Sequence, residues 1–286
     1  MNLKDIKFNN SNAEVYIPVN AKPGKCAYLA VAAHQDDVEI MAADGIFKAF
    51  DSADKSFCAV IVTDGAGSAR EGIYADYTDD MMKRVRASEQ RKAAEVGSYG
   101  GLVSLNYTSA QIKDAANTQA AEDIAKVIRQ LAPEVVYTHN LCDKHDTHIG
   151  VAAKLIAAVR SLPKQQRPQK LYGCEVWRGL DWLMDDEKVL FDLSSHLSLS
   201  NALLGVFDSQ IAGGKRYDLA TDGRRLANAT YSSSHAVDAS SHVGYAMDLT
   251  PLILDDAADI GEFAAAAIDR FRADVLEKVT RMTKCK

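Results

Sequence analysis

Cysteine is sparse and unpaired in this chain: Cys26, Cys58, Cys142, Cys174 and Cys285 are odd in number, widely spaced and form no C-x-x-C pair. That pattern argues against a disulfide framework and a thiolate zinc site. It leaves Cys26, Cys58 and Cys174, which lie in apolar runs, as small buried hydrophobes. A basic excess is also missing. Lys and Arg number 33 against 39 Asp and Glu, for a net charge of −6. Nucleic acid is therefore not an expected partner, whereas a neutral or cationic small molecule is. No apolar run approaches the ~18 residues of a membrane span, and the opening MNLKDIKFNNSNAEVY has charges and asparagines where a signal peptide needs an apolar core. A cytoplasmic, reduced protein is the expectation. Only 6 prolines interrupt a chain that is 47% hydrophobic, so disorder is not expected and a sizeable core is.

What the chain does contain is alternation. Short apolar runs at 26–33, 57–62, 102–105, 135–137 and 170–177 read as buried strands, being brief and bounded by polar or turn residues. Between them, 38–50, 77–96, 118–131 and 148–159 carry apolar residues at helical spacing, with Gly97 and Pro133 as stops. Such alternation predicts an α/β fold, a Rossmann-like three-layer sandwich around a mostly parallel sheet of strand order 3-2-1-4-5. Beyond Trp177 the pattern weakens. Residues 197–211 and 260–279 look helical, and 213–245, rich in Gly, Ser, Asn and Asp, reads as long loops. With no repeat or linker composition, one domain over 1–286 is expected. Its core spans about residues 25–178, and C-terminal substrate-shaping elements about 179–286.

Two polar clusters interrupt this apolar scaffold. The first strand ends in His34, Gln35, Asp36 and Asp37, with Glu39 just beyond. An imidazole and adjacent carboxylates at a buried strand end are costly unless paired, hydrated or bound to metal. The fourth strand is followed by THNLCDKHDTHIG, which holds His139, His145 and His148, three of the seven histidines. In the predicted order the first and fourth strands are neighbours, and ligands bind in the crevice outside their carboxyl ends. His145 and His148, three apart at a helix entrance, share a face, so one can ligate metal while the other reaches substrate. A catalytic zinc-type site wants three nitrogen or oxygen ligands and one open position. His34, Asp37 and His148 supply that set and leave Asp36 free as a base.

These residues are recognisable. HQDDVEI resembles the AHPDDxE signature of the PIG-L/LmbE-like family of zinc-dependent N-acetylglucosaminyl deacetylases, and HDTH resembles that family's second HxDH signature. VTDGAG looks like the family's T-D-G turn, Arg86 and Glu89 like its R-x-x-E helix, and FDSQ at 207–210 like a serine-glutamine segment of bacterial members. The resemblance covers about the first 160 residues. It implies His34, Asp37 and His148 as metal ligands, Asp36 as general base and His145 as the group that stabilises the oxyanion and helps protonate the leaving amine. It further implies Arg86 as a substrate contact. Gln35 stands where proline is usual, and Thr147 where the family often has aspartate, which leaves Asp146 or Asp143 to tune the histidines. Met41 to Asp44 replaces a glycine-rich run.

Plainer readings compete with each assignment. Asp36 and Asp37 are suited to cap a helix, and Asp146 likewise. Arg86 with Glu89 fits a surface ion pair, and Thr63, Asp64 and Gly65 a tight turn. A dinucleotide is not expected, because G-x-G-x-x-G is absent. His139, with Asn140 beside it, is divided between a structural role and a wall of the substrate site. His235 and His242 lie in SSSHAVDASSH without a G-x-S-x-G elbow, so a solvated loop is the simpler account; His235 is kept as a substrate-binding candidate. The expected function is metal-dependent removal of an acetyl group from the amine of an N-acetylglucosamine-type sugar or conjugate. The expected cofactor is Zn2+, with Fe2+, Co2+ or Ni2+ also suited to the ligands. The rivals are hydrolysis of a different amide or ester, and a non-catalytic metal-stabilised binding protein. A homo-oligomer is compatible with the sequence.

Overall fold

A computed structural model describes residues 3–284; of the residues discussed above, Cys285 lies outside that range. In chain order the first half contains β1 (Glu14–Tyr16), β2 (Lys25–Ala32), α1 (Asp37–Met41), α2 (Ala43–Asp51), β3 (Lys55–Thr63), α3 (Asp79–Val96), β4 (Gly101–Tyr107), α4 (Ser109–Lys113) and α5 (Gln119–Leu131). The second half continues with β5 (Val135–His139), α6 (Asp146–Arg160), β6 (Lys170–Cys174), β7 (Lys188–Asp192), α7 (Leu197–Gly205), α8 (Asp208–Ile211), α9 (Tyr217–Tyr231), β8 (Val243–Asp248), α10 (Thr250–Leu254) and α11 (Ile260–Thr283).

All eight strands form one sheet in the order β1-β4-β3-β2-β5-β6-β8-β7. Its centre, β4-β3-β2-β5-β6, is parallel and is the 3-2-1-4-5 arrangement expected from the sequence. The difference lies at the edges. β1 is added antiparallel to β4, and β8 and β7 extend the other side as antiparallel strands. Strand alternation divides the core between two faces. Leu29 and Val31 of β2 point into a layer with Ile124, Val127 and Ile128 of α5 and Val151 and Leu155 of α6. Ala30 and Ala32 point the other way, onto Val38, Ile46 and Phe47 of α1 and α2, Ala93 of α3 and Leu203 of α7. The result is an α/β three-layer fold.

The C-terminal part departs from expectation. Residues 213–245 are not long loops: α9 occupies 217–231 and β8 begins at Val243. α9 is held by tertiary contacts. Arg225 is buried and donates to the backbone oxygens of Glu39 and Ile40 and to Ser200 Oγ, while Asn228 donates to Glu175 and to Val243 O. Tertiary packing of this kind overrides weak helix propensity. Among the described residues, no helix is long and apolar enough to cross a membrane.

Candidate metal and active site

β2 and β5 are adjacent, and chain direction diverges between them, so their carboxyl ends open one crevice. The turn after β2 carries His34 to Asp37. Asp36 sits at φ +86°, in the left-handed region that a residue with a side chain seldom adopts. It occupies the N-cap position of α1, yet its side chain caps nothing. Instead Asp36 Oδ2 accepts from Arg86 Nη2 at 2.8 Å, and its backbone N–H donates to Gln90 Oε1 at 3.2 Å. Burial pushes the Asp36 carboxyl up to about 6, against the Arg86 cation, which lowers it, and with Asp37, which raises it further.

The neighbouring carboxylate is held differently. Asp37 Oδ2 accepts the His34 backbone N–H at 2.7 Å and lies 3.2 Å from His34 Nδ1 and 3.4 Å from His148 Nε2. The two imidazole nitrogens are 3.1 Å apart. Burial would raise the Asp37 carboxyl, but the imidazoles of His148, His139 and His34 hold it well below the usual carboxylate range. Tetrahedral ligands with bonds of ~2.1 Å stand about 3.4 Å from one another, so this nitrogen-nitrogen-oxygen set fits a divalent cation of the zinc type. Two other sets of donors also lie close together, His34 with His145 and His148, and Asp37 with His139 and His148, but His139 Nε2 already accepts the Ala33 backbone N–H at 2.8 Å. That bond occupies the lone pair a metal would need, and favours His34 over His139.

His148 enters from α6, where it is fully buried. Its Nδ1 lies 3.4 Å from Asp143 Oδ2, a carboxylate that also accepts the backbone N–H groups of Trp177 and His145. Carboxylates behind a ligating imidazole fix its tautomer and orientation. Asp146 is exposed and makes no side-chain cap, so of the two acids considered for this duty the structure supplies Asp143. His145 stacks on His148 at 4.6 Å between ring centroids and meets His34 edge-on at 4.9 Å. Burial, together with the nearby His148 and His34, lowers its pKa. His145 Nδ1 is buried without a hydrogen-bond partner among the described residues.

His34, Asp36, Asp37, Arg86 and His145 all line one cavity of about 410 Å³. Arg86 is 1% exposed and Glu89 8%, which removes a surface ion pair as the account of this motif. Arg86 Nη1 reaches Glu89 at 3.1 Å and Ser209 Oγ at 3.3 Å, and Nη2 also bonds the Gln35 carbonyl. Most of this guanidinium is thus spent on protein groups, and it positions Asp36. Ser209 of the FDSQ segment closes the cluster, its N–H and Oγ both donating to Glu89. The T-D-G turn supplies another wall, and Gly65 is required there: its φ is +74°, and an added Cβ would lie 2.5 Å from Gln35 Oε1.

Three sequence candidates stay off the cavity wall, although His139 packs against His148 behind it. His139 and Asn140 are fully buried and do not line the cavity, Asn140 being bound to the Cys174 carbonyl and the Cys142 N–H. His235 lies exposed in the 232–242 loop, away from the cavity lining. Conversely, Trp177, Lys215 and Tyr217 line the site and were not singled out in the sequence. Their part depends on how the C-terminal elements fold back, for which the chain offers no local signature.

Residues 29–159 match the family described as PIG-L: GlcNAc-PI de-N-acetylase. No curated protein matches the chain. Among solved structures, 4-carboxy-2-hydroxymuconate hydratase of Pseudomonas putida KT2440 is similar at a TM-score of 0.61 and 18% identity, covering 79% of this chain and 96% of that one. N,N'-diacetylchitobiose deacetylase of Pyrococcus horikoshii is similar at 0.62 and 14%, covering 82% and 88%. The A40926 pseudoaglycone deacetylase is similar at 0.57 and 15%, covering 78% and 97%. At such identities these likenesses establish the fold, which serves a hydratase as well as deacetylases. The sequence match to the family model is independent of these likenesses and spans 131 of the 286 residues, both polar clusters included.

Proposed function

We propose that the protein is a metal-dependent N-deacetylase acting on an N-acetylglucosamine-type sugar or sugar conjugate. The observation that carries this reading is the triangle of His34 Nδ1, Asp37 Oδ2 and His148 Nε2, 3.1–3.4 Å on each side, of which His34 and Asp37 line a cavity that Asp36 lines as well. The family match and the deacetylase neighbours support the same reaction class. His34, Asp37 and His148 would hold the cation, Zn2+ or equally Fe2+, Co2+ or Ni2+. When bound, such an ion supplies Lewis-acid polarisation of the amide carbonyl and an acidified water.

The chain's own groups do the rest. Asp36, raised to about 6 by burial and fixed by Arg86, takes the proton of the attacking water and returns one to the departing amine. His145, neutral near pH 7 because burial lowers its pKa, donates a hydrogen bond where the carbonyl oxygen becomes negative. Asp143 holds His148 from behind. Elemental analysis of protein purified without added metal, paired with a free-amine assay on a panel of acetylated sugars, tests the proposal. Stoichiometric divalent metal and amine release are expected. Bound metal with no amine release from any sugar on the panel would overturn the deacetylase reading and leave the other-bond hydrolase and the binding protein as the alternatives.

A further inference from the structure

From the Asp36–Asp37 turn a second cavity opens, separate in character from the first. It measures about 130 Å³, and beyond the two aspartates its walls are Ile40 of α1, Val176 and Trp177 after β6, and Tyr217 and Ala220 of α9, with Thr221 and Arg224 also on the lining. Asp36, Asp37, Trp177 and Tyr217 line both cavities. The two rings meet edge to face, centroids 6.0 Å apart, as a partition between them. Arg224 is tied to the Val176 carbonyl through Nη1 and so braces the loop against α9.

We propose that this chamber receives the acyl part of the substrate, and that the protein accepts saturated acyl groups of about four to six carbons in preference to acetyl. The inference rests on the deacylase reading above and extends its substrate class. An acetyl group presents one methyl, which needs about the room of one water position, ~10–15 Å³; the chamber offers several times that. The two cavities also differ in what they can solvate. Sugar hydroxyls must keep hydrogen-bond partners, and the larger cavity provides them through Asp64, Ser68, Lys113 and Gln210. Ile40, Val176 and Ala220 cannot, but they favour an alkyl chain by roughly fourfold for each methylene moved out of water. Both ends of the scissile amide can therefore be housed with its carbon beside Asp36 and Asp37. Hydrolysis consumes one water, forms the acyl C–O bond, breaks the C–N bond and releases a carboxylate and the protonated amine.

The test compares kcat/KM of the metal-loaded protein on glucosamine carrying N-acetyl, N-butanoyl or N-hexanoyl groups. Alongside it, binding of acetamide and hexanamide to the metal-free protein is read from tryptophan fluorescence. Ala220 is exposed on α9, so Ala220→Phe fills the chamber without disturbing the core. The expected result is at least a tenfold preference for the longer acyl groups in both measurements, with Ala220→Phe reducing that preference to near unity. Cleavage of N-acetylglucosamine with slower turnover of the longer amides, and no tighter binding of hexanamide than of acetamide, would overturn the inference and leave deacetylation standing. No cleavage of any glucosamide, with the hexanamide preference intact and sensitive to Ala220→Phe, would instead remove the deacylase reading and keep the alkyl site. Tight hexanamide binding untouched by Ala220→Phe would place the alkyl group elsewhere and also overturn the inference.

Discussion

Asp36 and Asp37 are adjacent, equally buried and chemically identical, yet their surroundings drive them apart. Asp37 faces three imidazoles and is held ionised, whereas Asp36 has one cation beside it and is raised to about 6. Diverging pKa values in neighbouring carboxyls are the pattern expected when one ligates and the other transfers protons. Asp36→Asn keeps the size and the Arg86 contact but cannot accept a proton. Turnover is expected to fall by about 10²–10⁴-fold with metal content unchanged; retained activity would remove Asp36 from the base role. Asp143 is the complementary case, since it touches no substrate-facing surface and acts through His148. Asp143→Asn is expected to weaken metal binding by about 10–100-fold, measured by competition with a chromophoric chelator. An unchanged affinity would show that His148 needs no carboxylate behind it.

At the scale of elements, the site is a meeting of α1, α3, α6 and α8 over two strand ends. α8 has only four residues and cannot be stable alone; the Glu89 carboxylate holds it through Ser209. Ser209→Ala deletes the 2.7 Å Oγ bond to Glu89 and the acceptor for Arg86. A loss of about 1–3 kcal/mol is expected from the buried groups left unpaired, read as a lower urea midpoint, and a shift below ~0.5 kcal/mol would mean the latch is redundant. Much of this was legible in the chain. The parallel strands were visible because buried strands are short, continuous apolar runs, and the candidate metal residues drew notice because His and Asp rarely end such runs. What was hidden depends on tertiary context. α9 contains Gly223, Asp222 and Asn228 and reads as loop, but Arg225 and Asn228 anchor it to the carbonyls after Asp37 and to β8. The 38–50 segment reads as one helix, whereas the chain breaks at Ala42, at φ −114°, where α1 ends and α2 begins. His139 was ambiguous because only the fold reveals the Ala33 N–H waiting for its lone pair.

Across the whole molecule, one buried carboxylate ties the C-terminal elaboration to the parallel core. Glu175 follows β6 and accepts from Leu180 N–H at 2.9 Å, Asn228 Nδ2 of α9 at 2.8 Å and Tyr245 N–H of β8 at 3.2 Å. Through it the parallel core, the Trp177 loop, α9 and the antiparallel edge are tied together around the wall that both cavities share. Burial raises its pKa, and the hydrogen bonds from Leu180, Asn228 and Tyr245 with the Arg224 charge only partly offset this. The sign follows by linkage. A carboxyl whose pKa is higher folded than unfolded binds more protons in the native state, so its contribution is fully present below the unfolded value near ~4.3 and declines as pH rises above it. Glu175→Gln matches the protonated form in shape and does not titrate. The variant is therefore expected to be nearest to the native protein in stability at acid pH, below the unfolded value, and to gain on it as pH rises until the native carboxyl has ionised, in urea unfolding followed by tryptophan fluorescence. A stability difference that stays constant with pH, or that moves in favour of the native protein as pH rises, would mean that the three donors outweigh burial and that Glu175 is held ionised as a fixed negative centre.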